Sequence, residues 1–370
     1  MARAEPPRRV LGWDIGGAHV KACLVERAPG ADGESSDITV HDIAQWPCPL
    51  WQGLAHLDTV IALARTRWPL AWTDDTRHVV TMTGEMVDLF ANREEGVRRL
   101  AAHLAEALGP SLRLYADATT TRWVRPQAAA QHWPAIASAN WRATAEVVAA
   151  RFPEAVLVDI GSTTTDLIVL RGGRMATPVA PTTGDAQRLA SGALVYQGVV
   201  RTPLCALGQR VPFDGEQVNV MNEFFATSAD VYRLTGELDP AHDQQAAADN
   251  GAKDAAATRQ RLARMIGRDA RDAGDENWLA LANVWRSAQC DEIAGQLARV
   301  LADSGLSADA PLVGAGCGDF LAAELAQRPG RPYRRFAGDV VPLADTGHLA
   351  SWAQVCAPAV AVAWLSAQQG

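Results

Sequence analysis

No run of about 18 apolar residues occurs anywhere in the chain, and its first ten residues, MARAEPPRRV, have no apolar core. Neither a membrane-spanning helix nor a secretory leader is therefore expected. Positive charge is not in excess: 370 residues carry a net charge of -8 with a pI near 5.5. This removes any general attraction to nucleic acid or to an anionic membrane surface, so an anionic ligand has to be bound locally. The six cysteines, Cys23, Cys48, Cys205, Cys290, Cys317 and Cys356, form neither a CxxC pair nor a closely spaced framework. That excludes a disulfide scaffold or a zinc site of ordinary spacing and fits reduced thiols in a cytoplasmic protein. What is present, 48% hydrophobic and 21% charged residues, is enough for a large core in one or two domains.

Leu157 to Met175, LVDIGSTTTDLIVLRGGRM, organises the rest. An apolar run, Val156 to Ile160, carries Asp159 near its end. Gly161 then allows a tight turn, and Ser162, Thr163 and Thr164 supply hydroxyls and amides before a second β-branched run, Leu167 to Leu170. Such a hairpin tip suits phosphate oxygens, and an aspartate beside it suits Mg²⁺ held through water. Near the amino terminus LGWDIGGAHVKACLVE repeats the pattern without gaps: Asp14 falls on Asp159, Gly16 on Gly161, and Lys21 on Asp166. A lone Asp-x-Gly is an ordinary turn. Two copies about 145 residues apart imply two related lobes facing each other across a cleft.

The remaining segments alternate strand and helix patterns. Ile38 to Trp46 is extended, Trp51 to Trp68 and Glu94 to Leu108 are helical, and His78 to Gly84 is a buried strand followed by Glu85 at its edge. Ala135 to Ala150 is expected as one helix containing Ser138 and Asn140. Asn140 has either a substrate role or a backbone-bonding one. Turns are expected at Pro29 to Asp37 and Pro181 to Asp185. Tyr196, Arg201 and the run Asn222 to Tyr232, at helical spacing, are candidates for a substrate wall, and Gly236 to Thr258 reads as a mobile loop or lid. Arg259 to Ala270 and Trp278 to Asp303 are amphipathic and carry no metal-ligand spacing. Gly314, Gly316 and Gly318 follow a strand and precede the helix Phe320 to Gln327, a weak phosphate or nucleotide signal by itself. Ala350 to Ala367 is expected as a single helix on the first lobe. The lobes are placed at 1-150, joined by 350-370, and at 151-349 with the insert at about 236-258.

The order of hairpin, hairpin and glycine-helix resembles the superfamily of acetate and sugar kinases, heat-shock chaperone ATPases and actin. DIGGAHVK and DIGSTTTD look like its hydantoinase/oxoprolinase branch. More narrowly, TMTGEMVDLF, SANWRATA, RLASGALVYQGVVRTP, FFATSADVY and RLARMIGRD resemble the tetrahydromethanopterin-linked C1-transfer family of methanofuran and methylofuran biosynthesis. Gly192-Ala193-Leu194 departs from the Gly-Glu-Leu usual in that family, and the 236-258 insert is not shared with it. The resemblance implies an α/β, two-lobed actin-like ATPase fold, a duplicated ribonuclease H-like plan with a central cleft. It also implies a transferase that joins an aminomethyl-furanylmethyl diphosphate to the phenol oxygen of a glutamyl-tyramine or tyrosine-like acceptor and releases pyrophosphate.

On this reading Asp14 and Asp159 hold Mg²⁺ through its water shell, and Gly16, Gly17, Gly161, Ser162, Thr163, Thr164, Gly314 and Gly316 line the phosphate oxygens. Lys21 is their electrostatic partner. Asp166 is the favoured base for the phenol, with Glu85 and His19 as alternatives; Asp166 also has a structural reading, a salt bridge to Lys21. Asn140, Arg201 and Tyr196 are assigned to substrate. Partners are small molecules, with no nucleic acid and no membrane, and homo-oligomerisation is left open. Two other classes remain: an ATP-dependent kinase or hydantoinase/oxoprolinase-like ATPase, with Gly314 to Gly318 on adenosine, and a non-enzymatic nucleotide-binding switch. Only under those alternatives is ATP a ligand.

Overall fold

The computed structural model describes residues 9-28, 37-73, 75-117, 121-176, 184-302, 304-345 and 347-369. Most of the turn expected at Pro29 to Asp37, and the first three residues of the loop expected at Pro181 to Asp185, lie outside the described residues. The chain divides into two compact units, one made of Met1-Pro153, Gly172-Asp185 and Arg335-Gly370, the other of Glu154-Arg171 and Ala186-Arg334.

In the first unit β1 (Arg9-Ile15) pairs antiparallel with β2 (His19-Arg27), and β2 with β3 (Ile38-Pro47). On its other edge β1 runs parallel to β4 (Thr76-Met82), β4 parallel to β5 (Arg113-Tyr115), and β6 (Trp123-Val124) closes the sheet. The second unit follows the same order. Its β7 (Ala155-Ile160) pairs antiparallel with β8 (Thr165-Arg171), β8 with Leu194-Val195, and β7 runs parallel to Leu312-Ala315, beside which lies Tyr333-Arg335. A three-strand meander with a parallel strand added on the far side of its first member, built twice, is the duplicated ribonuclease H-like α/β plan of the actin-like ATPases. Across the hairpins Asp14 faces Lys21 and Asp159 faces Asp166, as the gap-free alignment requires.

β1 is buried from Val10 to Ile15, so helices cover both of its faces. One face meets Leu57, Val60, Val97, Leu100 and Leu104 in a common core, each fully buried large side chain contributing about 1.5-3 kcal/mol. The other face is met by the helix Ala357-Ala367. Backbone contact there needs Gly12, because a Cβ at that position would lie 2.7 Å from the Ala363 Cβ.

Three expected elements differ. Ala135 to Ala150 is not one helix but two, Ala129-Ile136 and Asn140-Arg151, separated by residues 137-139 with Ser138 at φ 49°. Ala350 to Ala367 is likewise two helices, His348-Val355 and Ala357-Ala367, bent by 95°; Pro358, with no N-H to donate, sits in the first turn of the second. The run Asn222 to Tyr232 is helical only from Ser228, where Thr227 and Asp230 form a capping box. The 236-258 segment is pinned rather than loose. Asp243 accepts from Arg233 and Lys253, while fully buried Arg261 donates to Asp230 at 2.7 Å, Asp249 at 3.1 Å and the Ala252 carbonyl at 2.9 Å.

Candidate functional site

Both hairpin turns are built alike. The Gly16 N-H donates to the His19 carbonyl at 3.0 Å, and the Gly161 N-H to the Thr164 carbonyl at 2.9 Å, so positions that align in sequence make the same bond. In each turn a later loop then caps the carbonyls. Cys48 donates to Ala18 O at 2.9 Å and Leu50 to Gly17 O at 3.1 Å; Val199 donates to Gly161 O at 3.0 Å, and Val200 and Arg201 donate to Ser162 O at 3.1 and 2.9 Å. A capped carbonyl polarises its own peptide, which makes the N-H on the far side of that peptide a stronger donor. Among the described residues nothing accepts from the N-H groups of Gly17, Ser162, Thr163 or Thr164. In the second turn the caps fall on the peptides that carry the Ser162 and Thr163 amides, which are both polarised and unspent; in the first they fall one position later, on the peptides of the Ala18 and His19 amides, and the unspent Gly17 N-H stands beside them. Unspent amides in a tight turn suit an anion.

Two buried carboxylates stand beside the first turn. Asp14 is 3% exposed; Oδ2 lies 3.6 Å from Lys21 Nζ, and Oδ1 has no hydrogen-bond partner among the described residues. Burial raises its pKa above the ordinary value, against the pull of Lys21 and of Asn140. Asn140, whose Oδ1 accepts from the Trp141 N-H at 2.8 Å, starts the helix on the Asp14 side. Glu85 is 1% exposed. Its Oε1 accepts from Ser138 Oγ at 2.9 Å, its Oε2 is buried without a partner, and burial pushes its pKa to about 7 in spite of that hydrogen bond. The break at 137-139 puts the Ser138 hydroxyl on Glu85. Parallel pairing of β1 with β4 places Glu85 next to the first turn, since it follows Gly84, where a Cβ would stand 3.3 Å from the Gly16 carbonyl.

In the second unit Asp159 sits at the end of β7, and the left-handed Gly316 (φ 87°) brings backbone against its carboxylate, with a Cβ there placed 2.6 Å from Asp159 Oδ1. Asp166 is ion-paired with the buried Arg188. Within the first unit Lys21 Nζ lies 3.6 Å from Asp14. Arg201 is exposed, and its own N-H is one of the caps on the Ser162 carbonyl; Tyr196 is 61% exposed on the same loop. Gly314 is not open to a ligand, because a Cβ there would overlap Tyr333 and Asp319. Gly316 and Gly318 likewise lie on Ile160. The glycine trio is spent on close packing of the Leu312-Ala315 strand and the turn after it. His19 is buried.

Residues 77-333 match the hydantoinase/oxoprolinase family. The chain belongs to that family. It is 27% identical over 276 residues, 74% of this chain and 76% of the relative, to the (4-{4-[2-(gamma-L-glutamylamino)ethyl]phenoxymethyl}furan-2-yl)methanamine synthase of Methanocaldococcus jannaschii. A shorter match, 40% over 76 residues, covers 20% of this chain and 32% of the synthase of the same name from Methanococcus vannielii. Among solved structures, component A of the (R)-2-hydroxyglutaryl-CoA dehydratase of Acidaminococcus fermentans aligns over 97% of this chain and 99% of that one, with a TM-score of 0.42 and 11% identity.

For this hydantoinase/oxoprolinase family member, Mg²⁺ can be tested against the donors present. No group of three or more His, Cys, Asp or Glu side chains converges among the described residues, so an all-protein cage does not fit. A hydrated Mg²⁺ needs one or two carboxylates, and the unpartnered Asp14 Oδ1 fits that mode. Sequence reasoning did not find Arg188, whose role depends on a tertiary contact. A usable signal was missed elsewhere: of 34 basic residues only Lys21 and Lys253 are lysines. At Lys21 a compact point charge replaces the planar fork used at nearly every other basic position.

Proposed function

We propose that the chain is a transferase of methanofuran or methylofuran assembly, joining an aminomethyl-furanylmethyl diphosphate to the phenol oxygen of a glutamyl-tyramine or tyrosine-like acceptor. The observation that carries this reading is the pair of hairpin turns with capped carbonyls and unspent amides, which suits a polyanionic group better than a neutral one. In the reaction the phenol oxygen forms a bond to the furanylmethyl carbon while the bond from that carbon to the diphosphate oxygen breaks. The departing pyrophosphate keeps the electron pair. Gly16, Gly17, Gly161, Ser162, Thr163 and Thr164 receive its oxygens, and Lys21 faces the charge that develops.

Asp14, with Asp159 as its counterpart in the repeat, would hold Mg²⁺ through water, and the ion would neutralise leaving-group charge when bound. The phenol proton goes to Glu85. An ordinary phenol has a pKa of about 10, and a carboxylate tuned to about 7 is a far better match to it than one near 4. Asp166, already committed to Arg188, is assigned to positioning that arginine beside the second turn. Arg201, which starts at the Ser162 carbonyl, is assigned to the acceptor's carboxylate, and Tyr196 to its aromatic ring.

Purified protein incubated with the furan diphosphate, glutamyl-tyramine and Mg²⁺, without ATP, should give the ether and free pyrophosphate by mass spectrometry. Absence of product together with Mg²⁺-dependent ATP turnover would replace this reading with the kinase-like one.

A further inference from the structure

The loop that caps the second turn is itself held by one buried atom. The Gly198 carbonyl oxygen accepts from Thr202 Oγ1 at 2.9 Å, Ser228 Oγ at 2.8 Å and Gln289 Nε2 at 3.0 Å, three donors on one acceptor. All three side chains are buried, Gln289 and Ser228 completely. Gln289 is oriented in turn: its Oε1 accepts from the buried Tyr232 hydroxyl at 2.7 Å, which fixes the amide with its NH₂ toward Gly198. The Gly198 N-H closes the ring by donating to Thr202 Oγ1 at 2.8 Å. Gly198 also lies flat on the Ser162-Thr163 peptide, where any Cβ would overlap it. From that contact the following residues Val199, Val200 and Arg201 deliver their N-H groups to the Gly161 and Ser162 carbonyls.

We infer that Gln289, oriented by Tyr232, is a positioning residue for anion binding at the second turn. It anchors the Gly198 carbonyl, the anchored loop caps Gly161 O and Ser162 O, and those caps aim and polarise the Ser162 and Thr163 amides. The inference deepens the proposed function, resting on its reading of the turn as the seat of the diphosphate. Nothing in the chemistry requires Gln289 to touch the ligand. Its effect should therefore appear in diphosphate affinity and leave the acceptor untouched.

The probe is inorganic pyrophosphate with Mg²⁺, titrated calorimetrically into the full chain. Gln289→Met, which keeps length but not the amide, should weaken pyrophosphate binding about 10-fold, the effect of losing one well-placed hydrogen bond. The KM for the furan diphosphate should rise in step, with kcat and the acceptor KM within about two-fold. Tyr232→Phe, which leaves Gln289 in place but unoriented, should weaken pyrophosphate two- to three-fold, about half that effect. Ile293→Val, a core change on the same helix away from Gly198, should lower the melting temperature without moving pyrophosphate affinity. Wild-type protein that binds no pyrophosphate overturns the diphosphate reading and this inference together. Wild-type binding with equal binding by both Gln289→Met and Tyr232→Phe overturns the inference alone. If Gln289→Met does not fold, unchanged affinity in Tyr232→Phe decides against it.

Discussion

Glu85 is the side chain whose behaviour with pH distinguishes a base from a packing residue. Its folded pKa, about 7, lies above the ordinary 4.5, so the native state holds the proton more tightly than the unfolded chain does. The stability this lends is complete below pH 4.5 and is lost as pH rises through 7. Glu85→Gln, neutral at every pH, should match wild-type stability near pH 4 and exceed it at pH 8, by at most on the order of 3 kcal/mol. Thermal denaturation at the two pH values checks this. Activity should move the opposite way: kcat/KM should rise with pH around a midpoint near 7, and Glu85→Gln should lose that limb and about 10²-10⁴-fold in rate. An unaltered profile in the variant would return the base to Asp166. Lys21 provides a second check, since Lys21→Met should cost about 10²-fold in kcat, and Lys21→Arg should fail to restore it because the fork does not replace a compact ammonium beside Asp14. Steady-state kinetics of the two variants decide the point.

The interruption at 137-139 puts a hydroxyl on Glu85, and its cause is not visible in helix-forming tendency. Ala135 to Ala150 is rich in good helix formers, yet Ser138 is drawn out of the helix to a positive φ because its hydroxyl is taken by Glu85. The hairpins, by contrast, were readable from the chain alone, because their register depends on local alternation and on a glycine at a fixed offset. Tertiary partners were not: Arg188, Gln289 and the close packing over Gly314 and Gly318 join segments far apart in sequence. The helix Ala357-Ala367 offers an element-level check, for Gly12→Val should push it off β1 and cost about 1-3 kcal/mol of stability, measured by urea denaturation. The 236-258 segment offers another. Arg261→Met leaves the buried Asp230 to Arg233 alone and removes the bonds to Asp249 and the Ala252 carbonyl, and should cost about 1.5-3 kcal/mol, seen as a fall in melting temperature; no change would mean that the segment is a loose appendage after all.

Duplication gives the molecule two turns of one design with different electrostatics. In the first, an aspartate faces a lysine across the hairpin; in the second, an aspartate faces another aspartate that an arginine neutralises. The glycine bond that closes each turn is the same in both, and in each a later loop caps two of the turn's carbonyls, one position later in the first turn than in the second, which is why anion binding is assigned to the turns and not to any single charged side chain. The first turn lies outside residues 77-333, the part that matches the hydantoinase/oxoprolinase family, so the repeat within this chain carries the argument there. Backbone hydrogen exchange, followed with and without pyrophosphate and Mg²⁺, tests the central claim most directly. Slowed exchange at Gly17 in one unit and at Ser162, Thr163 and Thr164 in the other is the predicted result. Pyrophosphate that binds while leaving those amides exchanging as fast as before would contradict it.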